Sequence, residues 1–370
     1  MHHKFQILIT TATLVLTFAG IFLFTLLTKL FNQSSENYMG ILLISGLIIS
    51  LVACSIVFFV ANKLVNHFEH KIEIQNQKLQ QALIDNEAKQ TQLDKINEIE
   101  KAQIDFSCRQ RDDITEKNAN ITDSIRYAKR IQDAALSKKE IDKSIFSEYF
   151  ILFMPRDIVS GDFYWYHDFE DQFIVASGDC TGHGVPGAFM SMIGITFLNE
   201  IVLDEQVYDA AKILDQMRKD VILALDQENN SGGAQDGMDI SICIINKKNR
   251  TLQYAGAYQP LIWIRNGVLN EFKGNRMPVG IYGKMNEEFT NHHIEIEKND
   301  VIYLFSDGYA DQFGGSKGRK FLINNFKRLL FEIQEHSLDR QKQILQETII
   351  KWKGNNQQVD DISVIGLKIN

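Results

Sequence analysis

Two long apolar runs open the chain. Residues 5–31 carry a single charge, Lys29, and the run from Met39 to Val60 carries none. Each exceeds the roughly 20 residues that a helix needs to cross the hydrocarbon core of a bilayer. The pattern therefore predicts a transmembrane hairpin with spans over about 5–31 and 39–60. The connection from Asn32 to Tyr38 holds no Lys or Arg, whereas Lys4 precedes the first run and Lys63 and Lys71 follow the second. Basic residues favour the cytoplasmic side, which puts both ends of the hairpin in the cytoplasm, with Lys29 counting the other way. A connection this short leaves no room for a folded external sensor.

From residue 62 to about 142 the pattern changes. The stretch has no Pro and no Gly and is rich in Gln, Lys, Glu and Asn. Val65, Ile72, Leu79, Asn86 and Leu93 recur every seven residues, with Phe68, Ala82 and Ile96 on the companion seam and Gln75 and Lys89 interrupting it. This spacing predicts a long helical linker with a coiled-coil tendency, paired as a parallel homodimer in which Asn86 sets the register. The heptad breaks after Ile99. Ile121, Ile125, Ala128, Ile131, Ala134 and Ala135 then form a second apolar face at helical spacing, and such a face must pack on something.

Beyond Phe146 short strand-like runs take over. They fall at Tyr149–Met154, Asp162–Tyr166, Gln172–Ser177, Asp239–Ile245, Thr251–Ala255, Leu261–Ile264, Val268–Phe272, Asn291–Ile296, Asp300–Phe305 and Ile362–Lys368. Asn266-Gly267 is a two-residue hairpin signal, because both positions of that turn need positive φ. Helical patterns cover about 186–203, 206–226, 319–334 and 338–352. Strands joined by hairpins, with helices inserted in blocks, predict an α+β domain of antiparallel sheets. The expected organisation is a hairpin over 1–61, a linker over 62–143 and one domain over 144–370.

The net charge of −8 argues against general nucleic-acid binding. Cys54, Cys108, Cys180 and Cys243 form no CxxC pair, which suits reduced thiols in the cytosol. Four carboxylates share one setting. Asp162 follows Ser160-Gly161 at the head of an aromatic strand, and Asp179 ends the apolar run Phe173 to Ala176 before a glycine-rich turn. Asp307 follows Val301 to Phe305, and Asp360-Asp361 opens the last strand. Turn chemistry does not demand acid at four strand ends. Hard oxygen ligands suit Mg²⁺ or Mn²⁺, and no His/Cys cluster argues for zinc. A pair of such ions lowers the pKa of water and clamps a phosphoryl group, so no covalent nucleophile is required and Cys180 is read as a small structural side chain.

Pro155-Arg156-Asp157-Ile158-Val159-Ser160-Gly161-Asp162-Phe163-Tyr164, Gly178-Asp179-Cys180-Thr181-Gly182-His183-Gly184, Ala255-Gly256-Ala257-Tyr258-Gln259-Pro260-Leu261, Phe305-Ser306-Asp307-Gly308 and Asp360-Asp361-Ile362 resemble, in order, the motifs of SpoIIE-like phosphatases. These are the bacterial branch of the PPM metal-dependent serine/threonine protein phosphatases. The resemblance covers roughly residues 145–370. It implies a sandwich of two antiparallel sheets flanked by helices and a binuclear Mn²⁺ or Mg²⁺ centre. By this resemblance Asp162 and Asp179 are the catalytic metal-holding pair, the Cys180 carbonyl is a further ligand, and Asp307 and Asp360 complete the site, with Asp361 as the alternative to Asp360. Arg156 is either a contact for substrate phosphate or a cap on its strand. His183 is expected to be structural, and Asp239 a structural or outlying acid. The stretch with Ser124-Ile125-Arg126-Tyr127-Ala128 and Ile131-Gln132 resembles the regulatory linker before such domains. The implied function is a membrane-anchored phosphatase acting on a phosphoprotein of a partner-switching system, such as an anti-sigma factor antagonist. The competing readings are a catalytically silent membrane scaffold that binds a phosphoprotein, and a hydrolase of small phosphodiesters.

Overall fold

The computed structural model describes residues 2–30, 36–136, 141, 145–227, 236–283 and 287–370. The ends of the predicted hairpin connection and linker that fall at 31–35, 137–140 and 142–144 lie outside the described residues. The chain divides into two units, Met1–Asp112 and Asp113–Asn370.

In the first unit α1 (His2–Leu30) runs antiparallel to the start of α2 (Glu36–Ala135). Small residues let the two backbones approach. A side chain at Gly46 would meet the Phe24 ring at 2.9 Å, and one at Gly20 would meet Ser50 Oγ at 3.3 Å. The Cys54 thiol lies 3.9 Å from the Thr13 carbonyl. Interfaces of this small-residue kind are how helices pack where lipid removes the hydrophobic drive. Both apolar segments are long enough to cross a membrane, and neither is buried within the protein. Leu14, Phe18, Phe22, Ile49 and Phe59 face outward.

The α2 helix does not break where the heptad fades. With no Pro or Gly after Gly46, nothing stops it before Ala135. Its linker positions Phe68, Ile72, Leu79, Leu93 and Ile96 are exposed in the single chain.

In the second unit the strands follow in order: β1 (Phe146–Met154), β2 (Phe163–Asp168) and β3 (Gln172–Cys180). Two helices come next, α3 (Gly184–Leu198), continued by one wider π turn to Asp204, and α4 (Ala210–Ala224). Then come β4 (Gly237–Asn246), β5 (Thr251–Ala257), β6 (Leu261–Arg265), β7 (Val268–Phe272), β8 (Val279–Gly280), β9 (His292–Glu295) and β10 (Val301–Phe305). A single turn, α5 (Gly308–Asp311), leads into the small hairpin β11 (Phe313–Gly314) and β12 (Arg319–Lys320). The domain closes with α6 (Ile323–Ile333), α7 (Leu338–Lys353) and β13 (Ile362–Ile369).

Two antiparallel sheets form the centre. One has the order β1-β13-β10-β6-β7 and the other β2-β3-β4-β5-β9, with β8 added to β4. Their facing sides share one core, in which Phe173, Val175 and Tyr254 meet Ile302, Leu304 and Leu367. The outer face of the second sheet packs on α3 and α4 through Ile174, Ala176, Ile195 and Leu214. The outer face of the first packs on α6 and α7 through Tyr303, Phe305, Phe326 and Leu345. Strands buried on both sides cannot alternate apolar with polar, which is why Phe173 to Ala176 and Val301 to Phe305 read as unbroken apolar runs. The α+β sandwich expected from the sequence is the observed architecture.

Local details depart from the sequence pattern. The helix expected over 319–334 begins only at Ile323, because Arg319–Lys320 pairs with Phe313–Gly314 and Leu322 takes a φ of +74°. The helix expected from 206 starts at Ala210, since Gln206 has a φ of +59° and the Asp209 carboxylate caps the Lys212 N–H at 3.0 Å. The Asn266-Gly267 turn is found as expected, with φ of +48° and +71° between β6 and β7.

Candidate functional site

Both sheets end at the same edge, and their ends carry the acids. Asp162 immediately precedes β2, and its neighbour Phe163 pairs with Gly178, beside Asp179 at the end of β3. On β4, Asp239 lies directly across the ladder from Asp179. From the other sheet, Asp307 follows β10 and Asp360 precedes β13, and these two strands pair. Crossed strand ends thus bring acids nearly 200 residues apart into one place.

Several contacts fix the cluster. Asp162 is 1% exposed, and the Ser306 hydroxyl donates to it at 2.6 Å. Ser306 Oγ also accepts from the Ser363 N–H at 3.0 Å. One hydroxyl therefore ties an acid of the second sheet to two strands of the first. Asp307 and Asp179 lie close enough for the charge of each to act on the other. At Gly308 a Cβ would lie 1.9 Å from the Asp361 carbonyl oxygen, so only glycine lets the chain after Asp307 approach the chain after Asp360.

The two adjacent acids Asp360 and Asp361 differ in what they touch. Asp361 is 3% exposed, and its two oxygens accept the Arg156 N–H at 2.6 Å and the Gly161 N–H at 2.7 Å. It holds the loop that delivers Asp162. The Asp360 carboxylate accepts only locally, from the Asp361 N–H at 2.9 Å, and is half-buried. Arg156 is exposed and donates from Nη1 to the Val359 carbonyl at 2.9 Å, with its charge felt at Asp360. His183 pairs through Nδ1 with Asp157 at 2.8 Å at the start of α3.

The electrostatics are those of crowded negative charge. Burial, then the charges of Asp162, Asp307, Asp360 and Asp239, push the Asp179 carboxyl up to about 10. Burial raises Asp162 well above the usual carboxylate range, despite the Ser306 hydrogen bond that opposes it, and neighbouring acids raise it further. Burial also raises Asp307 and Asp360. Desolvation, followed by the charge of Asp307, takes Asp239 to about 7. Burial likewise drives the Cys180 thiol well up, so it is no thiolate nucleophile.

Among the described residues, no three His, Cys, Asp or Glu side chains are drawn into a closed ligand sphere. The donor set still fits a hard divalent ion. Every candidate donor is oxygen, the acids raise one another's proton affinity, and Mg²⁺-like ions retain several waters rather than demand a protein cage. The Cys180 carbonyl faces the turn at Gly161, 3.4 Å from where a Cβ there would stand.

Two positions hold the site in ways that the sequence did not assign, although Gln132 lies in the stretch that resembles the regulatory linker. Gln132, 2% exposed near the end of α2, donates to the Ser160 carbonyl at 2.6 Å and to Ser191 Oγ at 2.9 Å, and accepts the Ser160 N–H at 3.1 Å. A lone polar residue on the apolar face of Ile121 to Ala135 was the available signal. The second is Ser306, a small residue beside an acid, which nothing in the sequence marks as a bridge.

The Stage II sporulation protein E (SpoIIE) family model matches residues 170–370, more than half of the chain. No curated protein sequence matches the chain. Among solved structures, the SiaA-PP2C domain of Pseudomonas aeruginosa is 29% identical with a TM-score of 0.62, covering 68% of this chain and 98% of its own. The PP2C phosphatase domain of SpoIIE with a fragment of its regulatory domain, from Bacillus subtilis, is 18% identical with a TM-score of 0.50, over 60% of this chain and 63% of its own. The second likeness is one of fold. With the family model spanning most of the sandwich, this chain belongs to the SpoIIE family, and its C-terminal domain is that of a PP2C-type protein serine/threonine phosphatase.

Proposed function

We propose that the protein is a membrane-anchored, metal-dependent phosphoserine/phosphothreonine phosphatase whose catalytic domain, residues 144–370, faces the cytoplasm. The observation that carries this reading is the meeting of Asp162, Asp179, Asp307 and Asp360 at one edge of both sheets. With the Cys180 carbonyl they would hold two Mn²⁺ or Mg²⁺ ions. When bound, such ions lower the pKa of water and offset the charge of the phosphoryl group.

The chain's own residues do the positioning. The Ser306 hydroxyl fixes the orientation of the Asp162 carboxylate, and Asp361 fixes the loop beneath it. Asp360, with its smaller set of contacts, is the ligand of the adjacent pair. Arg156 stands at the rim, where its guanidinium can turn from the Val359 carbonyl to a phosphate oxygen, as such groups do. His183, paired with Asp157, holds the turn that opens α3.

The substrate in this reading is a phosphoprotein of a partner-switching system, such as an anti-sigma factor antagonist. The hairpin over 1–61 anchors the chain in the cytoplasmic membrane with two passes, and the linker over 62–143 pairs two copies. The test is phosphate release by the full-length protein in detergent, from a phosphopeptide and from para-nitrophenyl phosphate, with Mn²⁺, Mg²⁺ or EDTA. Turnover that requires the ion and is lost on Asp179→Asn is expected. Ion-independent turnover, or none with any ion, overturns the reading.

A further inference from the structure

A cleft of about 440 Å³ opens directly beside the acids, and Asp179, Asp239 and Asp307 form one of its walls. That volume is within the range of sites that hold small ligands or single side chains. Apart from Gln259 and Asp311, the rest of its lining is apolar or aromatic. Phe305 and Ala310 are buried at its base, and Tyr258, Leu322 and Ile323 stand at its sides. These last three are 45%, 55% and 36% exposed, an unusual way to leave three large side chains around one opening.

Two of them are held there by strained backbone. Tyr258 has a φ of +55° and Leu322 a φ of +74°. Non-glycine residues adopt this region rarely, at a cost that the surrounding structure must cover. The surroundings do so at both places. The Tyr258 N–H donates to the Asn275 carbonyl at 2.8 Å, and the Tyr254 hydroxyl donates to the Gln259 carbonyl at 2.6 Å. The Leu322 N–H donates to the Ala310 carbonyl at 2.7 Å, and the Leu322 carbonyl accepts from the Asn325 N–H at 3.0 Å. Tyr258 follows β5 of the second sheet, and Leu322 opens α6, which packs on the first, so the cleft is built across the same seam as the acids. Its remaining acid, Asp311, is already paired with Lys320 at 2.7 Å.

We infer that this cleft receives an apolar side chain adjoining the phosphorylated residue of the protein substrate, with Tyr258, Leu322 and Ile323 as specificity-determining residues. The inference rests on the phosphatase reading above, because a phosphate at the acids is what places the neighbouring residue in the cleft. An acidic neighbour would face Asp239, the lining acid that holds no ion in this reading. A basic neighbour would give up its water to an apolar wall.

The test uses the full-length protein in detergent with Mn²⁺ and three phosphoserine peptides, identical except that the residues on both sides of the phosphoserine are Leu, Asp or Lys. Burial of one apolar side chain separates substrates by about tenfold or more. The Leu peptide should exceed both others by that factor in kcat/KM, and Leu322→Asp and Tyr258→Asn should each bring the Leu-to-Lys ratio close to one. Asp and Asn tolerate positive φ, so both variants keep the local backbone. Equal turnover of the three peptides, a preference for Lys or Asp, or an unchanged ratio in both variants overturns the inference. Para-nitrophenyl phosphate, which has no flanking residue, separates the two failures. If neither it nor any peptide is hydrolysed, the phosphatase reading falls. The inference is then decided by fluorescence anisotropy of the labelled peptides, where Leu must still bind about tenfold tighter than Lys, and equal affinities reject it.

Discussion

At Asp179 a single carboxyl carries a burden that the rest of the domain must bear. Its pKa of about 10 in the folded protein stands far above the ordinary carboxylate value near 4. Between those values the folded state binds the proton and the unfolded state does not. Stability is therefore fully present below about pH 4 and is lost as pH rises towards 10, by about 1.4 kcal/mol per pH unit for each proton so held. The ion-free protein in EDTA should thus melt at lower temperature at pH 8.5 than at pH 6, and added Mn²⁺ should restore the difference while releasing protons. Asp179→Asn should remove phosphatase activity, keep the circular dichroism spectrum and flatten that pH dependence. The neighbouring acids separate in the opposite manner. Asp361→Ala strands the buried Gly161 N–H, at a cost of about 1–3 kcal/mol, together with the part-buried Arg156 N–H, and should lower the melting temperature by several degrees. Asp360→Asn should leave melting almost untouched and reduce activity at least a hundredfold. The sequence offered both as candidates, since adjacency hides which one turns inward, and only the Arg156 and Gly161 contacts distinguish them.

At the scale of elements, the sheets were legible wherever the pattern was local. Runs such as Val301 to Phe305 announce a strand buried on both faces, and Asn266-Gly267 announces its own hairpin. The 11-residue helix α6, which opens at Ile323, was harder to place, because the φ of +74° at Leu322 has no glycine to advertise it. The end of α2 was legible as an apolar face without a destination. Its destination includes Ser160, two residues before Asp162, gripped on both backbone groups by Gln132. Gln132→Ala should leave those groups unpaired and loosen the turn that delivers Asp162. A misplacement on the order of 1 Å is enough to cost about a hundredfold in rate, so activity should fall at least tenfold while the secondary structure, read by circular dichroism, persists.

For the whole molecule, the sequence and the two helices of the first unit agree that its apolar surface needs a cover other than the chain itself. Membranes from cells expressing the protein should retain it through alkaline carbonate washing. The exposed row of Leu79, Leu93 and Ile96 asks for a cover of its own, and residues 62–370 should sediment as a dimer, with a clean monomer at high concentration counting against the coiled coil. The reason the acids' meeting place could not be read from spacing alone is topological, since the pieces lie in different sheets and are joined by strand order rather than by sequence distance.

The same strand order governs when the protein can begin to work. β13 is laid down after every other strand, yet it sits between β1 and β10 in the middle of its sheet. Until Ile362 to Ile369 have left the ribosome, β1 lacks the one neighbour it has among the described strands, and Asp360 has no strand to follow it. Pairing over so long a sequence separation is slow. A chain still in synthesis therefore lacks the strand into which Asp360 leads, and the acid cluster stays incomplete until β13 has emerged.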